Sequence, residues 1–192
     1  AKAVSQLSDP GVVTLHDYGE DSGGEDSGGE DSGGALFMCF ELVDGQTLAE
    51  LLAEEGKLPA ERLVALAVQL LSALAEAHAA GLVHRDIKPE NIMVVRSRLG
   101  EEKARLLDFG IARPESYDAD DVRTREGVVL GTPKYMSPEQ CARGPLDPRS
   151  DLYSLGVILF QALAGQVPFV AASPLELLRA HMHAPVPPLP VE

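Results

Sequence analysis

Apolar positions along this chain recur with a helical period in some stretches and run together in others, and the two patterns mark out its elements. Leu63, Leu66, Ala67, Leu70, Leu74 and Ala77 fall at helical spacing and predict one apolar face. Pro59 suits the first turn of that helix, and Gly81 suits its end. A second helix is predicted from about Asp151 to Ala164, with Ser150 as N-cap and Gly165 then Pro168 beyond its end. Its Leu152, Leu155, Val157, Ile158, Leu159, Phe160 and Leu163 leave almost no polar face, which places it in the middle of a domain. A shorter helix over Thr47–Glu55 stops at Gly56. Ahead of it, Val12, Val13 and Leu15 follow a Pro10-Gly11 turn, and Leu36–Leu42 forms a continuous apolar run ended by Asp44-Gly45. Both read as short strands. Between the two long helices lies a loop-rich stretch, Val83 to Arg149, and so long a loop region inside one domain usually carries function.

Composition changes this picture little. The 192 residues suffice for one good core, with ordinary apolar and charged fractions. Cys39 and Cys141 stand far apart without metal-ligand spacing, which disfavours a disulfide framework or zinc site and fits a reducing compartment. No apolar run approaches the length of a membrane span, and the start does not read as a signal peptide. The net charge of −14 argues against nucleic acid as a partner, since neutralising phosphates needs a basic patch. Much of that charge is local. Residues 20–34 repeat Glu-Asp-Ser-Gly-Gly three times, and without those six carboxylates the net charge becomes −8. Like-charge repulsion and glycine entropy predict that this acidic repeat is disordered, as a solvated loop expansion rather than a docking site.

The residue types that do chemistry crowd into the loop-rich stretch. Val83-His84-Arg85-Asp86-Ile87-Lys88-Pro89-Glu90-Asn91 offers a carboxylate to accept a proton, an ammonium to offset phosphate charge and an amide oxygen for a hard cation. Downstream, Asp108 sits at the end of the short apolar strand Leu106-Leu107, before Phe109 and Gly110.

Here the sequence resembles the catalytic domain of serine/threonine protein kinases. The first run resembles the catalytic loop H-R-D-x-K-x-x-N, and Asp108-Phe109-Gly110 resembles the D-F-G motif. Gly131-Thr132-Pro133-Lys134-Tyr135-Met136-Ser137-Pro138-Glu139 resembles the substrate-facing loop that closes in A-P-E, with Ser137 in place of Ala. The helix opening at Asp151 resembles the central large-lobe helix. These motifs, in order, cover essentially Pro10 to Pro190, and their wording is most similar to bacterial kinases of the eukaryotic-like class.

The resemblance implies an α+β, bilobal protein-kinase-like fold. Residues 1–43 would be a remnant of the small lobe and its sheet, and residues 44–192 a mainly helical large lobe, incomplete at its C-terminal end. It implies transfer of the γ-phosphoryl group of ATP, with Mg2+, to Ser or Thr of protein substrates. Asp86 would orient the acceptor hydroxyl and take its proton, Lys88 would face the moving phosphoryl group, and Thr132 would shape the acceptor site. Asn91 and Asp108 would hold the magnesium ions. Phe40 aligns with the gatekeeper, Glu41 and Val43 would meet the adenine edge through their backbone, and Met93 would press on its face. For Phe40 and Met93, plain core packing is the rival reading. Leu15, His84 and Phe109 resemble the stacked regulatory column anchored by Asp151, while Gly110 and Glu139 are structural positions. His78 is read as structural.

Arg85 marks the class in which an arginine captures a phosphorylated activation loop, and Thr124 lies where that phosphate is usual; Ser116 or an unregulated loop are the alternatives. The resemblance also admits a kinase dimer for trans-autophosphorylation and a cytoplasmic setting, with any membrane anchor of the parent outside this segment. The glycine-rich loop, the strand lysine and the helix glutamate have no counterpart here, and Ala1–Leu7 reads as the tail of the regulatory helix. The chain is therefore read as a fragment truncated at both ends and inactive alone. A pseudokinase scaffold is the alternative; a small-molecule kinase is disfavoured by the Gly131–Glu139 loop.

Overall fold

The computed structural model describes residues 5, 7–21, 35–109 and 133–190. Two antiparallel sheets and five helices make up these residues. Strands β1 (Leu15–Asp21) and β2 (Ala35–Phe40) pair as a hairpin, from Leu15 opposite Phe40 to Asp21 opposite Ala35. β1 thus runs on through Glu20 and Asp21, the first two positions of the stretch expected to be disordered; the rest of the acidic repeat lies outside the described residues. β2 ends at Phe40, two residues before the apolar run does, because Leu42 is almost wholly exposed and Glu41 turns to other partners.

The second sheet has the order β3 (Gln46–Thr47), β4 (Ile92–Arg96), β5 (Glu102–Leu106). The turn into β3 needs glycine: a Cβ on Gly45 would stand 2.7 Å from the Val94 carbonyl oxygen. Helix α1 (Leu48–Glu55) starts on a capping box, with Thr47 and Glu50 satisfying each other's backbone amides. Helix α2 (Ala60–Ala79) buries the predicted face, Leu63, Leu66, Ala67, Leu70, Leu74 and Ala77, adding Ala73. By length and hydropathy α2 is apolar enough to span a membrane, contrary to the sequence expectation. Its buried stripe belongs to the same apolar cluster as Ile92, Leu106 and Ile158, which is what a core helix requires.

After a short helix α3 (Pro138–Cys141) comes α4 (Pro148–Ala164), which begins three residues earlier than expected. Asp147 accepts from the Arg149 amide as N-cap, and Pro148 fills the first helical position. Ser150 is therefore inside the helix, fully buried, and its hydroxyl is given to Glu139. Nor is α4 buried all round: Ile158 and Ala162 are sealed in the core, while Leu152 is 45% exposed. Helix α5 (Pro174–His183) was not foreseen; Ser173 caps it, and Leu177 and His181 are its buried positions. Cys39 and Cys141 are both free thiols.

Candidate active site

The catalytic-loop residues hang from one carboxylate. Asp151, 1% exposed near the start of α4, accepts from the His84 amide at 2.8 Å and the Arg85 amide at 2.9 Å, and contacts His78 Nε2 at 2.8 Å. His78 comes from the end of α2, so the buried charge joins both long helices to the loop. Its polar surroundings offset the cost of burying it. The imidazole of His84 faces the other way, with Nε2 2.8 Å from the Leu107 carbonyl oxygen and its ring 4.7 Å from that of Phe109. Burial lowers the pKa of His84 and favours the neutral ring. Of the residues expected to form the column, His84 packs against Phe109, and Leu15 and Phe109 both belong to the buried apolar cluster.

Arg85 has a φ of 66°, a left-handed conformation that costs energy for a side chain with a Cβ. Its Nε is buried and has no hydrogen-bond partner among the described residues. From this strained residue the chain delivers Asp86 into a small polar cluster. Lys88 Nζ lies 2.9 Å from Asp86 Oδ2, and Asn91 Nδ2 donates to the Asp86 carbonyl at 2.9 Å and to Oδ2 at 3.2 Å. With its amide nitrogen so engaged, the oxygen of Asn91 is the atom it can offer a cation. A 3-10 turn, Pro89–Asn91, sets Asn91 at the head of β4. The Asn91 carbonyl accepts from the Leu107 amide at 2.9 Å, which brings the segment that carries Asp108 alongside Asn91. Asp108, with φ 48°, is exposed beside this cluster.

A cleft of about 190 Å³ opens next to these residues, lined by Val13, Phe40, Glu41, Val43, Met93, Leu107 and Asp108. The five positions expected to meet the nucleotide are thus gathered around one opening; Val13 and Leu107 are lining residues that sequence reasoning passed over as ordinary strand positions. Glu41 spends its amide on the Thr14 carbonyl at 3.0 Å, so its carbonyl oxygen is what remains for a base edge. Its carboxylate accepts from the Thr14 amide at 2.7 Å and pairs with the Arg105 guanidinium, whose Nη2 also reaches the Val12 carbonyl at 3.0 Å. Arg105 holds the Glu41 pKa down to about 2. Neither Arg105 nor Thr14 was singled out in the sequence, since a charge on a strand normally reads as a solvated face.

The acceptor-loop end is pinned to α4. Ser154 Oγ donates to the Tyr135 carbonyl at 2.6 Å, and Tyr135 Oη donates to Gln161 at 2.7 Å. Burial opposes the charge of Glu139, but the Ser150 hydroxyl and backbone donors outweigh it and lower its pKa. Gly110, Ser116, Thr124 and Thr132 lie outside the described residues.

The donor chemistry fits a nucleotide and a hard divalent ion. The cleft wall is apolar except at Glu41 and Asp108, as a flat base with a phosphate tail requires. Asp108 and Asn91 supply carboxylate and amide oxygens. Among the described residues no three His, Cys, Asp or Glu side chains cluster, so such an ion would draw further ligands from phosphates and water.

Comparison with known proteins agrees with this geometry. The family described as "Protein kinase domain" matches residues 1–186. The chain is 44% identical over 189 residues to serine/threonine-protein kinase pkn3 of Myxococcus xanthus, covering 98% of this chain and 33% of that protein. To serine/threonine-protein kinase PknL of Mycobacterium tuberculosis it is 42% identical over 187 residues, 97% of this chain and 42% of the relative. To PknA of the same species it is 38% identical over 190 residues, 99% and 41%. The chain thus spans well under half the length of these curated relatives. A two-stranded hairpin, five helices, a strained His-Arg-Asp loop hung from α4 and a family match over residues 1–186 lead to one conclusion: this chain belongs to the protein kinase domain family.

Proposed function

We propose that the protein transfers the γ-phosphoryl group of ATP to serine or threonine hydroxyls of protein substrates. The observation that carries this reading is the hydrogen-bonded group of Asp86, Lys88 and Asn91 beside Asp108 at the mouth of the cleft. Phe40, Val13, Val43, Met93 and Leu107 would enclose the base, and the Glu41 carbonyl and Val43 backbone would read its edge. Asp86 accepts the proton of the acceptor hydroxyl as its oxygen bonds to the γ-phosphorus and the bond to the β–γ bridging oxygen breaks, leaving ADP. Lys88, already against Asp86, offsets charge on the transferring group. Asn91 and Asp108 would hold Mg2+, which when bound neutralises phosphate charge.

Regulation belongs to the same reading. Arg85 Nε is buried with no hydrogen-bond partner among the described residues, and a phosphate on Thr124 would supply an acceptor, with Thr132 completing the acceptor site. Such activation suits trans-phosphorylation between two copies in the cytoplasm. The acidic charge gives nucleic acid no footing, and the segment itself makes no membrane contact in this reading.

The reading is tested by ATP binding to the full-length protein at varied Mg2+. Asp108→Asn, which tolerates the same left-handed backbone, should remove most of the Mg2+-dependent part of ATP affinity while the protein keeps its wild-type melting temperature. Equal Mg2+ dependence in wild type and mutant would count against it.

A further inference from the structure

Gln140 follows the acceptor-loop motif and has no role in the reading above. Its side chain makes two hydrogen bonds of opposite sense. The Ser137 amide donates to Gln140 Oε1 at 2.9 Å, closing the capping box of α3. Gln140 Nε2 donates to the Arg85 carbonyl at 2.8 Å. The partners fix the amide orientation, because a backbone N–H can only donate and a carbonyl only accept.

The Arg85 peptide is therefore gripped on both sides, its N–H by Asp151 from α4 and its carbonyl by Gln140 from α3. Between those two bonds sits the φ of 66°. A strained residue of this kind persists only where its surroundings over-determine it, and the carbonyl that Gln140 holds belongs to the peptide bond leading into Asp86. We propose that Gln140 is a positioning residue for phosphoryl transfer: it couples the acceptor-loop helix to the catalytic loop by fixing the Arg85–Asp86 peptide plane. The inference rests on the assignment of Asp86 as the residue that receives the acceptor proton.

One substitution separates the two bonds. Gln140→Glu keeps the acceptor for Ser137, since Glu is the usual partner in a capping box, but turns the donor toward Arg85 into a second acceptor. In the full-length protein, with Mg-ATP and a degenerate Ser/Thr peptide mixture, kcat should fall roughly 10- to 100-fold, from a lost bond and a carbonyl–carboxylate clash. The KM for ATP should stay within about twofold, because the cleft residues are untouched, and the melting temperature should fall no further than in Gln140→Ala. Lowering the pH should narrow the kcat shortfall relative to wild type, because a protonated carboxyl donates again. Gln140→Ala, which loses both bonds, should lower kcat and melting temperature together.

A Gln140→Glu protein with wild-type kcat would overturn the inference, as would a kcat shortfall that simply tracks lost melting temperature in both variants. Asp86→Asn, run beside them, keeps the two readings apart. If Asp86→Asn transfers normally, the assignment of Asp86 has failed. If it is inactive while Gln140→Glu is fully active, only the coupling by Gln140 has failed.

Discussion

The two sides of the candidate site are held by different physics. On the catalytic-loop side, a fully buried carboxylate gathers two backbone amides and an imidazole, and the strained Arg85 peptide is clamped from two helices. On the nucleotide side, the walls are largely apolar, and three segments, Val12–Thr14, the turn after β2 and the end of β5, meet at one ion pair, Glu41 with Arg105. That pair is partly exposed, with side chains 25% and 20% accessible. Salt and acid reach it, whereas Asp151 is 1% exposed. What is insulated from solvent on the catalytic-loop side is the anchor, Asp151, while the Asp86–Lys88 pair that it helps to position is itself partly exposed. A cleft that must open for a ligand is held by something that loosens more readily.

The largest effect that would break this contrast is on the insulated side. Asp151→Ala leaves the His84 and Arg85 amides without their acceptor in a buried site, and should destabilise the protein by about 3 kcal/mol or more in urea unfolding. A loss below about 1 kcal/mol would mean the loop is held by its apolar packing instead.

The nucleotide side should respond to acid. The folded-state pKa of Glu41, about 2, lies below the ordinary 4.5. The pair's contribution is therefore fully present above pH 4.5 and is lost as pH falls from there toward 2, a change on the order of 1–2 kcal/mol once solvent screening is allowed for. Arg105→Leu should flatten that part of the stability profile and raise the KM for ATP several-fold with kcat little changed. An unchanged acid profile would show that the hairpin, not the ion pair, positions Glu41.

The smallest effect serves as a calibration. Ser173, which accepts from the Glu176 amide at the start of α5, lies on neither side. Ser173→Ala should cost about 1 kcal/mol in unfolding and leave kcat and the KM for ATP alone.

How much of this was readable in the sequence follows from what each feature depends on. The buried face of α2 follows from its 3.6-residue period, and the family motifs named Asp86, Lys88, Asn91 and Asp108 because their spacing is local. Boundaries were less legible. Asp147-Pro148 is a better helix start than Ser150, but an apolar-period reading begins where the apolar residues do. Contacts between distant segments were least legible. Arg105 with Glu41, and His78 with Asp151, are 64 and 73 residues apart. Nothing in either local pattern marks the partner. Gln140 stands in the Ser-Pro-Glu-Gln run and its capping role is local, but its bond to Arg85 crosses 55 residues and leaves no local signal.

The central claim is that Asp86 receives the acceptor proton in phosphoryl transfer. Its most direct test is transfer of labelled γ-phosphate from Mg-ATP by the full-length protein, wild type against Asp86→Asn, with ATP binding measured on both. The account predicts transfer by wild type and at least a 100-fold loss in Asp86→Asn with ATP affinity retained. Undiminished transfer by Asp86→Asn, or no transfer by a folded, ATP-binding wild type whose activation loop is phosphorylated, would contradict it.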